Sequence, residues 1–319
     1  MWSQYAEGVA NLRSFLSACA RRTQRHTHYT DVPKYDGSSK PNGGVMKRVV
    51  FNQKGGVGKS TITCNLAAIS AAHGKRTLVV DLDPQGNSTQ YLLGSEAAEG
   101  KTLAELFEQM LQFKLVTEKA NAFVQETQFE NLSVLASHPS LVELAVKLES
   151  RHKIYKLREA LNELDNTFDE IYIDTPPALN FFTLSALIAA DTCLIPFDCD
   201  DFARRALYTL MENVAEIRGD HNPGLAVEGI VINQFQPRAN LPHKLVNELI
   251  EEGLPVLSTF LSSSIKIKES HEQSMPLIHM APSHKLTKEY EALYDELEKA
   301  IKKSRGGATS RSKKKWTPA

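Results

Sequence analysis

Along most of the chain, short runs of consecutive apolar residues alternate with longer stretches in which apolar side chains recur every three or four positions. The runs at 46–51, 77–81, 132–135, 170–174, 191–196, 229–233 and 254–257 read as strands. The continuous β-branched run at 77–81 marks a parallel strand covered on both faces. Between the runs, 61–73, 103–113, 141–148, 154–164, 181–190 and 242–252 read as helices, the first closed by Gly74. A last helix over 284–303 carries Leu286, Tyr290, Leu293, Leu297 and Ile301 at spacings of three and four, a stripe that faces a core. Residues 265–270 instead alternate apolar and charged side chains, a period-two pattern. Strands alternating with helices, without an internal repeat, predict an α/β fold: a doubly wound, mostly parallel sheet flanked by helices.

Residues 1–45 break this pattern. Their periodicity is weak, Arg21, Arg22 and Arg25 form a basic patch, and 36–44 is rich in Gly, Ser, Pro and Asn. They read as a disordered extension, or as a start placed too early, since Met46 opens the first strand. The competing reading is an extension that is helical over 5–19; the intact mass of the natively expressed protein separates the two. The chain thus divides into 1–45, a folded body at 46–301 and a basic flexible tail at 302–319. The net charge of −1 hides an asymmetry: the tail has seven bases and no acid, 1–45 has six bases against three acids, and the body carries −11. Four cysteines, at 19, 64, 193 and 199, form no C-x-x-C pair and no zinc spacing, which suits a reducing cytoplasm. No apolar run reaches the roughly eighteen residues of a membrane span.

The candidate chemistry begins where the first strand ends. Lys54-Gly55-Gly56-Val57-Gly58-Lys59-Ser60-Thr61 lies between strand and helix. Its glycines free the backbone for a turn whose N–H groups, with the helix N-terminus behind them, form a nest for polyphosphate. Lys59 would reach the β- and γ-phosphates and Ser60 would face Mg2+. Gln53 stands where the general G-x-x-x-x-G-K-[ST] pattern has its first glycine, and Lys54 is a second departure. The strand at 77–81 delivers Asp81-Leu82-Asp83-Pro84-Gln85-Gly86-Asn87, and the strand at 170–174 ends in Asp174-Thr175-Pro176-Pro177. An acid after an apolar strand can hold Mg2+, whereas a lone D-x-D is most often only a turn. Here the three segments follow in order, about 25 and then 90 residues apart.

This set resembles the ParA/MinD superfamily of deviant Walker A ATPases, over roughly 46–295. Within it, the chain resembles the small ParA type that lacks an N-terminal helix-turn-helix. The resemblance implies an Mg2+-dependent ATPase that dimerises with ATP, nucleotides between the subunits. It implies catalytic roles for Lys54, Lys59 and Asp83, with Lys54 reaching across to the partner's phosphates. It implies nucleotide binding by Lys54, Gly55, Gly56, Val57, Gly58, Lys59, Ser60, Thr61 and Asn233, the last at the adenine, although a polar strand-end residue is the alternative reading. Metal contacts would come from Ser60, Asp83 and Asp174.

ParA resemblance further implies sequence-independent DNA binding on the bacterial nucleoid, in the cytoplasm, and a cargo-bound activator, ParB-like or equivalent, that triggers hydrolysis. The cargo would be a chromosome or plasmid partition complex or a protein cluster. Candidate DNA contacts are Arg204, Arg205, Arg238, Lys266 and Lys268, with Lys244 and Lys285 beside them, although each is individually well explained as a solvated charge. Two other classes share the loop. A MinD-like membrane-positioning ATPase needs a C-terminal amphipathic helix, and here membrane attachment is disfavoured because the last helix spends its stripe on the core. Iron–sulfur reductases need bridging cysteines, for which Cys193 and Cys199 lack the setting.

Overall fold

A computed structural model of the chain describes residues 44–94, 100–112, 117–199, 203–236 and 240–308. The expectations for 1–43, Arg238 and the end of the tail fall outside these residues. Seven strands form one sheet: β1 (Met46–Val50), β2 (Thr77–Asp81), β3 (Gln125–Glu126), β4 (Leu132–Leu135), β5 (Glu170–Asp174), β6 (Thr192–Asp198) and β7 (Ala226–Asn233), in the order β3-β4-β2-β5-β1-β6-β7. All pairs are parallel except β3 with β4. The expected doubly wound α/β fold is therefore present.

Eleven α-helices are described, besides a short 3-10 helix at Ala120–Phe123: α1 (Lys59–Ala72), α2 (Asn87–Leu93), α3 (Leu103–Leu111), α4 (Leu141–Ser150), α5 (Lys156–Glu163), α6 (Phe181–Ala189), α7 (Ala203–Asp220), α8 (Asn240–Glu251), α9 (Lys266–Glu272), α10 (Leu277–Met280) and α11 (Lys285–Ala308). Consecutive strand residues point to opposite faces, so neighbours such as Val49 and Val50, Leu78 and Val79, and Ile171 and Tyr172 belong to two separate cores. Both faces are covered, which is why the strands are apolar without alternation. Leu286, Tyr290, Leu293 and Leu297 of the α11 stripe lie in one of these cores, and Ile301 at its end is buried as well. The helix then runs on to Ala308, beyond the point where the sequence reading began a flexible tail.

Three segments depart from the sequence pattern. Residues 254–257 are not a strand: Ile230 donates its N–H to the Pro255 carbonyl and accepts from the Leu257 N–H, and the ladder stops there. Pro255 has no N–H to continue it. Gly229 allows the close approach, since a Cβ there would lie 2.5 Å from the Leu257 side chain. Second, 265–270 is not extended; α9 begins at Lys266, whose N–H donates to the Ser264 hydroxyl at 3.2 Å. Ser270 is buried on its inner side. Third, α3 ends at Leu111.

Polar residues tie the lower edge of the sheet together. Between β6 and β7 the register slips, with Cys193 opposite Val227 but Leu194 opposite Gly229, so Glu228 is the extra residue of a bulge. Its carboxylate accepts from Arg48 Nε at 2.5 Å, Arg48 Nη2 at 2.7 Å and the Thr192 hydroxyl at 3.0 Å. Glu170 accepts from Lys75 Nζ at 2.6 Å, Ser70 at 2.8 Å and Tyr172 at 2.7 Å.

Candidate functional site

Register places the site. Val50 and Asp81 both align with Asp174 of β5, so the loops leaving β1, β2 and β5 emerge at one level above the carboxyl ends of the strands. In an open α/β sheet that end is the ligand crevice.

The loop after β1 is anchored from β6. Asn52 Nδ2 donates to the Pro196 carbonyl at 2.7 Å, and Asn52 Oδ1 accepts the Lys54 N–H at 2.9 Å. Gly56 and Gly58 have φ of +77° and +90°, the left-handed region. Asn233, at the end of β7, donates its amide to the Val57 carbonyl at 2.9 Å and lies so close that a Cβ on Gly58 would sit 2.4 Å from Nδ2. Gln234, itself at φ +54°, donates to the Gly56 carbonyl at 3.1 Å. Gly58 then starts α1, whose first turn has no side-chain cap and no acid, leaving its N–H donors for an anion. Gly58→Ala should weaken binding of a fluorescent ATP analogue about tenfold or more, from left-handed strain plus the displaced Asn233. Titration of the purified variant checks this.

The two lysines of the loop face different surroundings. Lys59 is buried at 7% exposure, with Nζ donating to the Lys54 carbonyl at 3.2 Å. Burial lowers its pKa, opposed by the nearby carboxylates of Asp174 and Asp83. Lys54 points to the rim, half-exposed, with Nζ 3.2 Å from Asp198 Oδ2.

Opposite Lys59 stand three acids. Asp174 is fully buried and accepts from the Ser88 hydroxyl at 2.7 Å, the Thr175 N–H at 3.0 Å and the Ser60 hydroxyl. Burial raises its pKa above the usual carboxylate range, and the Ser60 and Ser88 hydroxyls and Lys59 oppose the rise. Asp81 is likewise buried and pushed up, first by burial and then by Asp174. Its carboxylate accepts from the Thr89 N–H and hydroxyl, both at 2.8 Å, and from the Asp83 N–H at 3.1 Å. Asp83 accepts the Gln85 N–H at 3.0 Å, while its own carbonyl accepts from the Ser137 hydroxyl at 2.5 Å. The site thus brings together residues 54–61, Asp83, Asp174 and Asn233. Sequence reading missed Ser88, Thr89, Ser137 and Asp198, as well as His271, whose Nε2 lies 3.0 Å from the Thr61 hydroxyl and whose ring stacks on Tyr91. None of these carries a local motif.

The candidate DNA contacts are dispersed. Arg204, on α7, is held by Glu248 of α8 and by Glu252 just after it. Arg205 is exposed on the same helix. Lys266 pairs with Glu269 at 2.5 Å, whereas Lys268 is exposed. Lys285 reaches Ser262, just before α9, and Lys244 lies 3.9 Å from Glu248. Cys193 is buried within β6, and Cys64 is buried in α1.

A glycine loop between a central parallel strand and an uncapped helix, faced by acids at two neighbouring strand ends, defines a P-loop nucleoside-triphosphatase core. An AAA domain family model matches residues 46–227. The chromosome partitioning protein ParA of Myxococcus xanthus is 34% identical over 78% of this chain and 87% of its own. The chromosome-partitioning ATPase Soj of Treponema pallidum is 33% identical over 79% of this chain and 96% of its own. A cobyrinic acid a,c-diamide synthase from Mycobacterium smegmatis, solved with an ATP analogue and magnesium, superposes with a TM-score of 0.70 at 25% identity, over 86% of this chain and all of that one. The chain belongs to the ParA/Soj family of partition ATPases, within the ParA/MinD class. It is an ATPase.

Proposed function

We propose that this chain is an ATP-driven switch that dimerises around bound nucleotide, binds DNA without sequence preference as the dimer, and is reset by an activator protein carried on its cargo. ATP is the substrate and Mg2+ the metal. Among the described residues no cluster of three His, Cys, Asp or Glu side chains forms an all-protein metal cage. Ser60, Asp83 and Asp174 instead offer the sparse oxygen set that suits Mg2+ completed by phosphate oxygens and water. Bound there, the metal would neutralise charge on the β- and γ-phosphate oxygens. The residues of the chain do the rest: uncapped N–H groups of 55–61 and Lys59 hold the phosphates, Asp83 orients water, and Asn233 faces the base.

One observation carries the switch reading: two lysines five residues apart serve different sides of the loop, Lys59 buried within it and Lys54 turned to its rim. A buried lysine suits the subunit's own triphosphate. A lysine at the rim suits a triphosphate presented by a second subunit, where it would act as an arginine finger does, so that turnover depends on dimer formation.

The outer surface supports DNA rather than membrane as the track. The α11 stripe is used in the core. Among the described residues no helix is long and apolar enough to cross a membrane. With a body of −11, attraction to phosphate must be local, from Arg205, Lys268, Lys285 and their neighbours, with the basic end of the chain in reserve. The cargo is a partition complex or protein cluster, and the complex works in the bacterial cytoplasm on the nucleoid. DNA binding should therefore require ATP and fall steeply between 50 and 200 mM salt, as read by anisotropy of a labelled random-sequence duplex. Binding that is independent of nucleotide or insensitive to salt rejects this reading, and ATP-dependent sedimentation with anionic vesicles instead of DNA favours the MinD-like alternative.

A further inference from the structure

We propose that Asp198 is a positioning residue that holds Lys54 back in the monomer, setting how readily that lysine is released to a second subunit. The inference rests on the reading of Lys54 given above. Asp198 ends β6 and is paired in register with Asn233, the residue that bonds the Val57 carbonyl. Two residues earlier on the same strand, the Pro196 carbonyl holds Asn52, which in turn holds the Lys54 N–H. The backbone of Lys54 and the carboxylate of Asp198 are therefore fixed to one another through β6. What is left to move is the lysine side chain.

Its ammonium lies 3.2 Å from Asp198 Oδ2, with the two side chains 38% and 32% exposed. An ion pair this exposed is weak and releases easily. A triphosphate presented by another subunit offers more negative charge than one carboxylate, so it would draw Lys54 off Asp198. Without that phosphate, Asp198 keeps the lysine at its own rim. Asp198 is thus a competitor for the ammonium, and each dimer must break the pair twice, once per subunit.

The test is a double-mutant cycle on the full-length chain, using wild type, Asp198→Asn, Lys54→Ala and the double variant. Dimerisation is measured by sedimentation velocity across a wide protein range with a non-hydrolysable ATP analogue and Mg2+. Asp198→Asn should tighten dimerisation about three- to tenfold, because the small gain of an exposed pair counts in both subunits. It should also raise activator-free ATP turnover at sub-saturating protein, and Asp198→Glu should return both readouts toward wild type. In the Lys54→Ala background the Asp198→Asn change should have no effect. Equal tightening in that background would mean that removing any negative charge suffices, and it overturns the inference. So does an Asp198→Asn protein that dimerises like wild type or more weakly, provided its thermal midpoint is unchanged. If Lys54→Ala alone dimerises and turns over like wild type, the trans reading of Lys54 fails instead, which the cycle separates from failure at Asp198.

Discussion

Lys54→Ala should remove activator-stimulated ATP turnover by about a thousandfold, the lower end of what a charge supplied across an interface contributes to phosphoryl transfer. ATP binding should change only a few-fold. The asymmetry follows from position: the Lys54 side chain turns to the rim of the loop, with its ammonium on Asp198, whereas the phosphate nest is built from the left-handed glycines, the uncapped start of α1 and Lys59. Lys59→Ala should do the reverse and lose binding itself. Its ammonium is buried with its pKa lowered by desolvation, so in the free protein it sits in a site built for an anion. A third variant, Asp83→Ala, should bind ATP, dimerise and stay locked there, because the turn that carries it loses only the bond from the Gln85 N–H and keeps those made by the Asp83 backbone to Ser137 and Asp81. Equilibrium binding of an ATP analogue alongside steady-state hydrolysis with and without activator distinguishes the three. Near-wild-type stimulated turnover in Lys54→Ala would remove the switch from this account.

The parts of the fold that were legible in the sequence are those whose physics is local. β1, β2, β4, β5 and β6 are apolar runs because both faces of a parallel sheet are covered, and each ends where a polar or glycine-rich loop begins. The phosphate loop announces itself because left-handed backbone needs glycine at 56 and 58. The fold class followed from the first of these facts, and the ATPase family from the loop with its two lysines taken together with the acids of 81–87 and 174–177 that follow it in order. What was not legible depends on partners distant in sequence. The Lys54–Asp198 and Arg48–Glu228 contacts span 144 and 180 residues. Asp81 and Asp83 look interchangeable in a D-x-D turn, yet strand register buries Asp81 against Asp174 and leaves Asp83 on the turn. The helix at 266–272 was disguised because Ile265 and Ile267 share parity with a strand, although Ile265 is 70% exposed and Ile267 packs inward. A two-residue antiparallel strand such as β3 gives no periodicity to read.

Glu228→Gln should destabilise the fold by about 3–5 kcal/mol, a large share of the roughly 5–15 kcal/mol by which a domain of this kind is held. Arg48 is 1% exposed and its charge is compensated chiefly by the two-pronged bond to Glu228, with the Tyr172 ring centre 5.0 Å away. Burial alone would lower the Arg48 pKa; Glu228 foremost reverses that, so removing the carboxylate charge strands a cation that cannot deprotonate. Arg48→Met combined with Glu228→Leu should recover much of the loss, since an apolar pair of similar volume avoids desolvating two charges. The neighbouring Glu170 adds a pH limb. Burial would raise its pKa, but Arg48 and Lys75 outweigh burial and hold it below the ordinary value of 4.5. A folded pKa lower than the unfolded one means that the unfolded chain binds the proton more readily. The contribution of Glu170 is therefore complete above pH 4.5 and is lost as pH falls through the depressed value. Urea midpoints at pH 7 should order wild type above the double variant and the double variant above Glu228→Gln, with ATP-analogue affinity of the folded fraction unchanged because this cluster lies at the opposite ends of the strands from the loop. A Glu228→Gln midpoint equal to wild type would mean that the bulge at β7 holds Arg48 by shape and not by charge.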